Sequence, residues 1–309
     1  MKYGGFHDTF DEKIKGIVPI FDQIHQSSNI DIFTIQVNLI HNSGGHKAHE
    51  LSYFLSVVAE YANKLSFLGI KPGQLLSALR IKISVGNDQF LEIAKLRALR
   101  LLWKNLCDAY KVDFTKIKLK IDVETSWRFM SKLDPHTNLL RSTSSAFSAI
   151  IGGCDSLDVL PFDLAQGKPD EFSKRQARNI QIILAEEANL DKVIDPSSGS
   201  GYLDQITFEL AEKGWQTFQE IEKGGGILPL IRSGKFQNEI EKNALKQVSD
   251  FLSNSRKAVG TNIYPNPSEK AIKKEVQKII FTNLVGGAKE EIIPLVQRRV
   301  LEEIENKFV

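Results

Sequence analysis

An α/β fold built on a parallel sheet is predicted by three observations. Five short apolar segments rich in β-branched residues each run into a turn and then into a stretch of helical periodicity. Their starts recur every roughly 35–47 residues, the size of a βα unit with its crossover. The chain of 309 residues is 42% apolar, enough to bury a sizeable core as one large domain or two ordinary ones.

The predicted strands are Phe33–Ile40, Arg80–Val85, Ile117–Glu124, Cys154–Leu160 and Asp191–Asp195. The clearest helix covers Phe90–Tyr110. Phe90, Ile93, Ala94, Leu96, Ala98, Leu101, Leu102 and Leu106 recur there at three- and four-residue steps, and Glu92, Lys95, Arg97, Arg100 and Lys104 fall largely between them. Further helices are expected over 46–67, 136–151, 171–188 and 203–223, with one before the first strand, around Phe10–Gln26, interrupted by Gly16 and Pro19. Serial βα units mean a parallel sheet, and the pattern leaves an open doubly wound sheet and a closed barrel as alternatives. After Lys223 the character changes. Gly224–Gly226 ends a helix, a polar helical stretch follows at 237–256, and Val259–Pro267 is forced extended by its two prolines. Two more helices are expected beyond it, the last over Glu290–Phe308 with Pro294 in its first turn.

Composition excludes several classes. Forty basic residues against 38 acidic ones, without a basic block, argue against nucleic-acid binding by phosphate neutralisation. The two cysteines, Cys107 and Cys154, are too few for a disulfide framework and suit a reducing cytosol. Met1–Asp11 lacks the pattern of a signal peptide, and every apolar run falls short of the ~18 residues a membrane span needs. The expectation is a cytoplasmic protein with neither nucleic acid nor membrane as partner.

Candidate chemistry is sparse. His41, His46 and His49 cluster beside Glu50, but H-K-A-H-E matches neither zinc-peptidase order, and Gly44–Gly45 make this a strand-to-helix loop; no metal site is expected. Asp134-Pro-His136 invites comparison with the cobalt-ligating D-x-H-x-x-G, yet Leu139 stands where the final glycine is needed. Ser198, Gly199, Ser200 and Gly201 lie between a strand and a helix and form a possible anion-binding loop, weighed against simple helix capping. In a barrel the strand carboxyl ends carry function. Those positions include Asn38, His41, Asn87, Glu124, Asp158 and Asp195, with no Ser–His–Asp or Cys–His arrangement evident. Glu124 and Asp158 form a carboxylate pair for acid–base work, or else are solvated or paired with Arg128 or Arg141.

Several segments, read together, go further. They are Asn42-Ser-Gly-Gly45 with His49-Glu-Leu-Ser-Tyr53, Gly86-Asn87 with the helix Phe90–Arg100, and Asp134-Pro with Asn138–Thr143. Gly152-Gly with Leu160-Pro-Phe-Asp163, Phe172-Ser with Arg175–Asn179, Asp195-Pro with Tyr202, and Val259–Pro267 complete the set. From about residue 30 onward these resemble the barrel of the adenosylcobalamin-dependent methylmalonyl-CoA mutase family, in its small, non-catalytic subunit type. The resemblance implies a partial (β/α)8 TIM-barrel of about strands four to eight over residues 1–223, with a helical extension over 224–309. It places the family's first three strands and its cobalamin-binding domain outside this chain.

The departures from the catalytic chains of that family are informative. Asn38 and Leu39 stand where they carry a Tyr-His pair, Glu124-Thr-Ser126 where they carry Gln-Thr-Ser, and Ser156-Leu-Asp158 where they carry Ser-Leu-His. Leu39 can donate nothing to a thioester carbonyl, and ionised Glu124 and Asp158 would repel a carboxylate substrate. The resemblance therefore implies a catalytically silent chain with no catalytic residues of its own. Its partner is a catalytic large subunit or another copy of itself. Adenosylcobalamin serves the complex, which interconverts methylmalonyl-CoA and succinyl-CoA, and is not expected to bind this chain alone. The alternatives are a split active mutase that needs a separate cobalamin-binding chain, and a truncated remnant without independent function.

Overall fold

The computed structural model describes residues 5–6, 9–24, 33–266 and 290–306. Four parallel strands form its sheet: β2 (Phe33–Gln36), β3 (Leu79–Val85), β4 (Lys120–Thr125) and β5 (Ser156–Asp158), side by side in chain order. A two-residue antiparallel pair, β1 (Gly5–Phe6) with β6 (Glu290–Glu291), lies apart from it. The register aligns Ile35 with Ile81, Lys82 with Asp122, Ser84 with Glu124, and Glu124 with Asp158. Because side chains alternate along a strand, Leu79, Ile81, Ile83 and Val85 share one face with Ile121 and Val123. All six are buried in the main core.

The helices on that face come from the expected βα units. α3 (Lys47–Ser66) follows β2, α5 (Gln89–Ala109) follows β3, and α6 (Thr137–Ile151) follows β4. α1 (Phe10–Ile24) packs on α3 and runs unbroken through Pro19, whose missing N–H costs it one internal bond. Short α2 (Asn38–Asn42) bridges β2 to α3, and α4 (Pro72–Ser77) leads into β3. Beyond β5, α7 (Glu171–Ile182) ends in a π-helical turn at Ile183–Glu187. α8 (Gly201–Lys223) forms an outer layer across α3 and α5. Gly214 permits this crossing, since a Cβ there would stand 3.0 Å from the Leu51 Cβ. α9 (Ile227–Arg232) and α10 (Lys235–Leu252) follow, and α11 (Glu302–Glu305) closes the described chain.

Three expectations are corrected. Asp191–Asp195 is no strand. Asn189 and Asp195 both take positive φ, 54° and 50°, so the segment is bracketed by left-handed turns, and Ile194 is 99% exposed. The stretch Phe33–Ile40 is strand only to Gln36 and helical from Asn38. Glu290–Phe308 is not one helix: residues 292–299 take no regular secondary structure, and Pro294 biases its neighbour away from helical geometry. The Arg298 N–H donates to Asn42 O at 3.1 Å and the Val300 N–H to Arg128 O at 2.9 Å, which lays this segment across the carboxyl ends of the strands. The helix expected between Pro267 and Glu290 lies outside the described residues. Among the described residues no helix is long and apolar enough to cross a membrane.

Candidate functional site at the strand carboxyl ends

Glu124 ends the polar face of β4 and is the focus of the site. Its Oε1 accepts from Asn38 Nδ2 at 3.0 Å, Ser84 Oγ at 2.9 Å and, weakly, Asn42 Nδ2 at 3.5 Å, while Lys82 Nζ sits 3.0 Å from Oε2. Burial works to raise its pKa, but the bonds from Asn38 and Lys82 outweigh that and hold it below the usual glutamate value. The carboxylate is thus ionised and saturated with donors, which makes it a poor general base. The same orientation leaves the Asn38 and Asn42 amide oxygens buried without a hydrogen-bond partner. Asp158 stands beside Glu124 in register but is exposed and forms no hydrogen bond or ion pair among the described residues. The expected arginine partners go elsewhere. Arg128 donates to Gln247 Oε1 and to the Arg298 and Asn42 carbonyls, and Arg141 to Thr137, Asn138 and the Val259 carbonyl.

His41 leaves this cluster for a second one. Its Nε2 lies 2.7 Å from Ser126 Oγ and its Nδ1 3.3 Å from Glu50 Oε1. In a neutral ring whose Nδ1–H donates to the Glu50 carboxylate, Nε2 is the nitrogen left to accept from Ser126 Oγ. This Ser–His–Glu order was not legible in the sequence. It has the polarity of a hydrolase triad, yet Ser126 is 6% exposed and does not line the 580 Å³ cavity that His41, Glu50 and Asn87 border. Glu50 is also bound by Lys95 Nζ at 2.8 Å, which in turn contacts Glu92 at 2.7 Å and donates to Ser84 O at 2.6 Å. Lys47 adds a contact to Glu92 at 3.3 Å. Lys95 and Glu50 are fully buried, so the helices after β2 and β3 are locked together by ion pairs rather than presenting charge to water.

The remaining candidates are separate. Leu39 is half-buried in the first turn of α2 and Asn87 is exposed before α5. His46 and His49 cap the start of α3 reciprocally, their rings stacked with centroids 3.5 Å apart, and His49 Nε2 reaches Glu239 at 3.0 Å. Burial and the neighbouring His49 push His46 down to about 4. Among the described residues no group of three or more His, Cys, Asp or Glu is placed to hold a metal. In the Ser198–Gly201 loop, Ser200 caps α8 through the Leu203 N–H. Arg97 ties the loop down, donating to Ser197 Oγ and to the Asp195 and Asp204 carboxylates.

Residues 10–299 match the family model described as methylmalonyl-CoA mutase. The chain belongs to the methylmalonyl-CoA mutase family. It is 33% identical over 260 residues to the "Methylmalonyl-CoA mutase small subunit" of Porphyromonas gingivalis, covering 84% of this chain and 42% of that protein. The small subunit of Propionibacterium freudenreichii subsp. shermanii is 33% identical over 267 residues, with 82% and 42% covered. The "Methylmalonyl-CoA mutase" of Rhizobium meliloti is 33% identical over 231 residues, 74% of this chain and 32% of its own. The chain thus spans about two fifths of the length of the small subunits it matches.

Proposed function

We propose that the chain is a small-subunit-type component of a methylmalonyl-CoA mutase, itself catalytically silent, which pairs with and stabilises a catalytic subunit. The complex interconverts methylmalonyl-CoA and succinyl-CoA in the cytoplasm. The observation that carries this reading is the saturation of Glu124 by Asn38, Ser84 and Lys82. So held, Glu124 is not available as a base, and Leu39 beside Asn38 offers no donor to a thioester carbonyl.

In this reading the four strands belong to a partial (β/α)8-type barrel of about strands four to eight over residues 1–223, with a helical extension over residues 224–309. Each of β2 and β5 has a single partner in the sheet among the described residues, and unpaired edges call for closure by further strands. Adenosylcobalamin belongs to the complex. His136 does not fit a cobalt ligand, because its ring packs against Phe162 at 5.0 Å and Leu139 continues into α6.

The test is to mix the chain with a mutase catalytic subunit and follow co-elution, melting temperature and turnover. Co-elution with a raised melting temperature, and no turnover from this chain alone, is expected. Product formed by this chain with a separate cobalamin-binding protein and no catalytic subunit would overturn the silent-subunit reading.

A further inference from the structure

Arg128 poses a charge problem. It is 1% exposed, yet among the described residues its hydrogen bonds go to neutral oxygens: Gln247 Oε1 at 3.0 and 3.2 Å, Arg298 O at 2.7 Å and, weakly, Asn42 O at 3.5 Å. No carboxylate pairs with it among the described residues, although a buried charge ordinarily needs an ionic partner. Burial and the nearby Arg298 push its pKa down to about 10, so it remains a cation at neutral pH. Arg128 lines the 580 Å³ cavity walled by the starts of α3 and α5, by α8 and by α10. Lys213 of α8, Lys246 of α10 and Arg256 also line it, and none of the three forms an ion pair among the described residues. Arg256 lies over the Phe129 ring at 5.7 Å.

The other charges of the lining do not cancel this group. Lys47 is matched to Glu92, and Glu50 to Lys95. Asp88 and Asp250 form no ion pair among the described residues, so the four unmatched cations keep an excess of two positive charges. His46, held down at about 4, adds none at neutral pH. An arginine fork joined by two ammonium groups suits the terminal oxygens of a phosphate, and a dianion matches the excess where a monocarboxylate does not. We propose that this cavity binds a small phosphate-bearing anion, with Arg128 as its buried counter-ion and the exposed Lys213, Lys246 and Arg256 at its mouth. Glu124 and Asn38 do not line it, so the site stands apart from the strand-end cluster and from the mutase reading.

Calorimetric titration of the full chain with inorganic phosphate in about 0.15 M sodium chloride tests it, with sodium acetate as the monoanion control. Saturable binding of one phosphate per chain and a raised melting temperature are expected, with no saturable acetate binding. The double variant Lys213→Gln, Lys246→Gln removes two exposed ammonium groups and should bind phosphate about five-fold more weakly. Arg128→Lys keeps the charge but loses the fork, and should weaken binding about ten-fold. Failure of phosphate to saturate, acetate binding equally well, or parental affinity in either folded variant would each overturn the proposal. Should Arg128→Lys not fold, unchanged affinity in the double lysine variant overturns it.

Discussion

The two faces of the parallel sheet are made by the same strands and could hardly differ more. Toward the helices stand Leu79, Ile81, Ile83, Val85, Ile121 and Val123, all buried. Toward the other side stand Thr34, Gln36, Arg80, Lys82, Ser84, Asp122, Glu124, Ser156 and Asp158, exposed or half-buried except for Ser84 and Glu124. Arg80 meets Asp122 at 2.8 Å and Lys82 meets Glu124 at 3.0 Å, so basic β3 is laced to acidic β4 across this open face. A complete barrel usually fills its interior with branched apolar side chains. Here the polar face of the sheet is charged, with Arg80–Asp122 and Lys82–Glu124 paired and Asp158 left open to water. The lesson is that the buried apolar surface lies on the helix side, while the polar side is held by ion pairs.

Perturbing each side in turn breaks or sharpens that contrast. The largest effect is expected from Lys95→Met, which strands Glu50 and Glu92 in the interior. Removing one member of a buried ionic cluster costs about 3–5 kcal/mol, read from urea unfolding. Ile83→Ala, on the apolar face, should cost about 3 kcal/mol through the cavity it leaves. Acid comes next. Burial opposes the charge on Glu92, yet Lys47 and Lys95 overcome it and hold its pKa below the usual 4.5. A carboxylate depressed in the folded state stabilises fully above that ordinary value and loses its contribution as pH falls below it. With the folded value lowered to about 2, the melting temperature should drop between about pH 5 and 2, and drop less in Glu92→Gln. The smallest effect belongs to the open face: Lys82→Ala should cost under about 1 kcal/mol, because its ion pair is partly solvated. A loss as large as that of Ile83→Ala would show that the polar face is a second core.

What was legible in the sequence follows the same division. α5 and the strand at 80–85 were plain because their apolar spacing is local information. Asp191–Asp195 misled because Val193 and Ile194 read as strand, while the positive φ at Asn189 and Asp195 and the hold of Arg97 come from tertiary structure. Glu92 and Lys95 were read as charges falling largely between the apolar positions of their helix, and both are buried. A signal existed for Lys95, which lies four residues from both Leu91 and Leu99 and so falls on an apolar stripe. Its partner Glu50, however, is 45 residues away. At the strand ends the sequence pointed to Asn38 and Glu124 separately, and only the fold brings them to 3.0 Å.

Gly44 carries a consequence for how the chain assembles. Its φ of +98° and missing Cβ let Ala244 and the Arg128 guanidinium close over the turn before α3. Its carbonyl accepts from Gln247 at 3.2 Å, 203 residues along the chain. Contacts of such separation are slow to form, since loop closure must precede any gain from them. The sheet and its helices are made first during synthesis, and α10 and residues 292–300 can dock only onto an α2–α3 turn already in place. Refolding of the isolated chain should accordingly show a late phase that belongs to this strap, and a side chain larger than glycine at position 44 should slow that phase while sparing the early one.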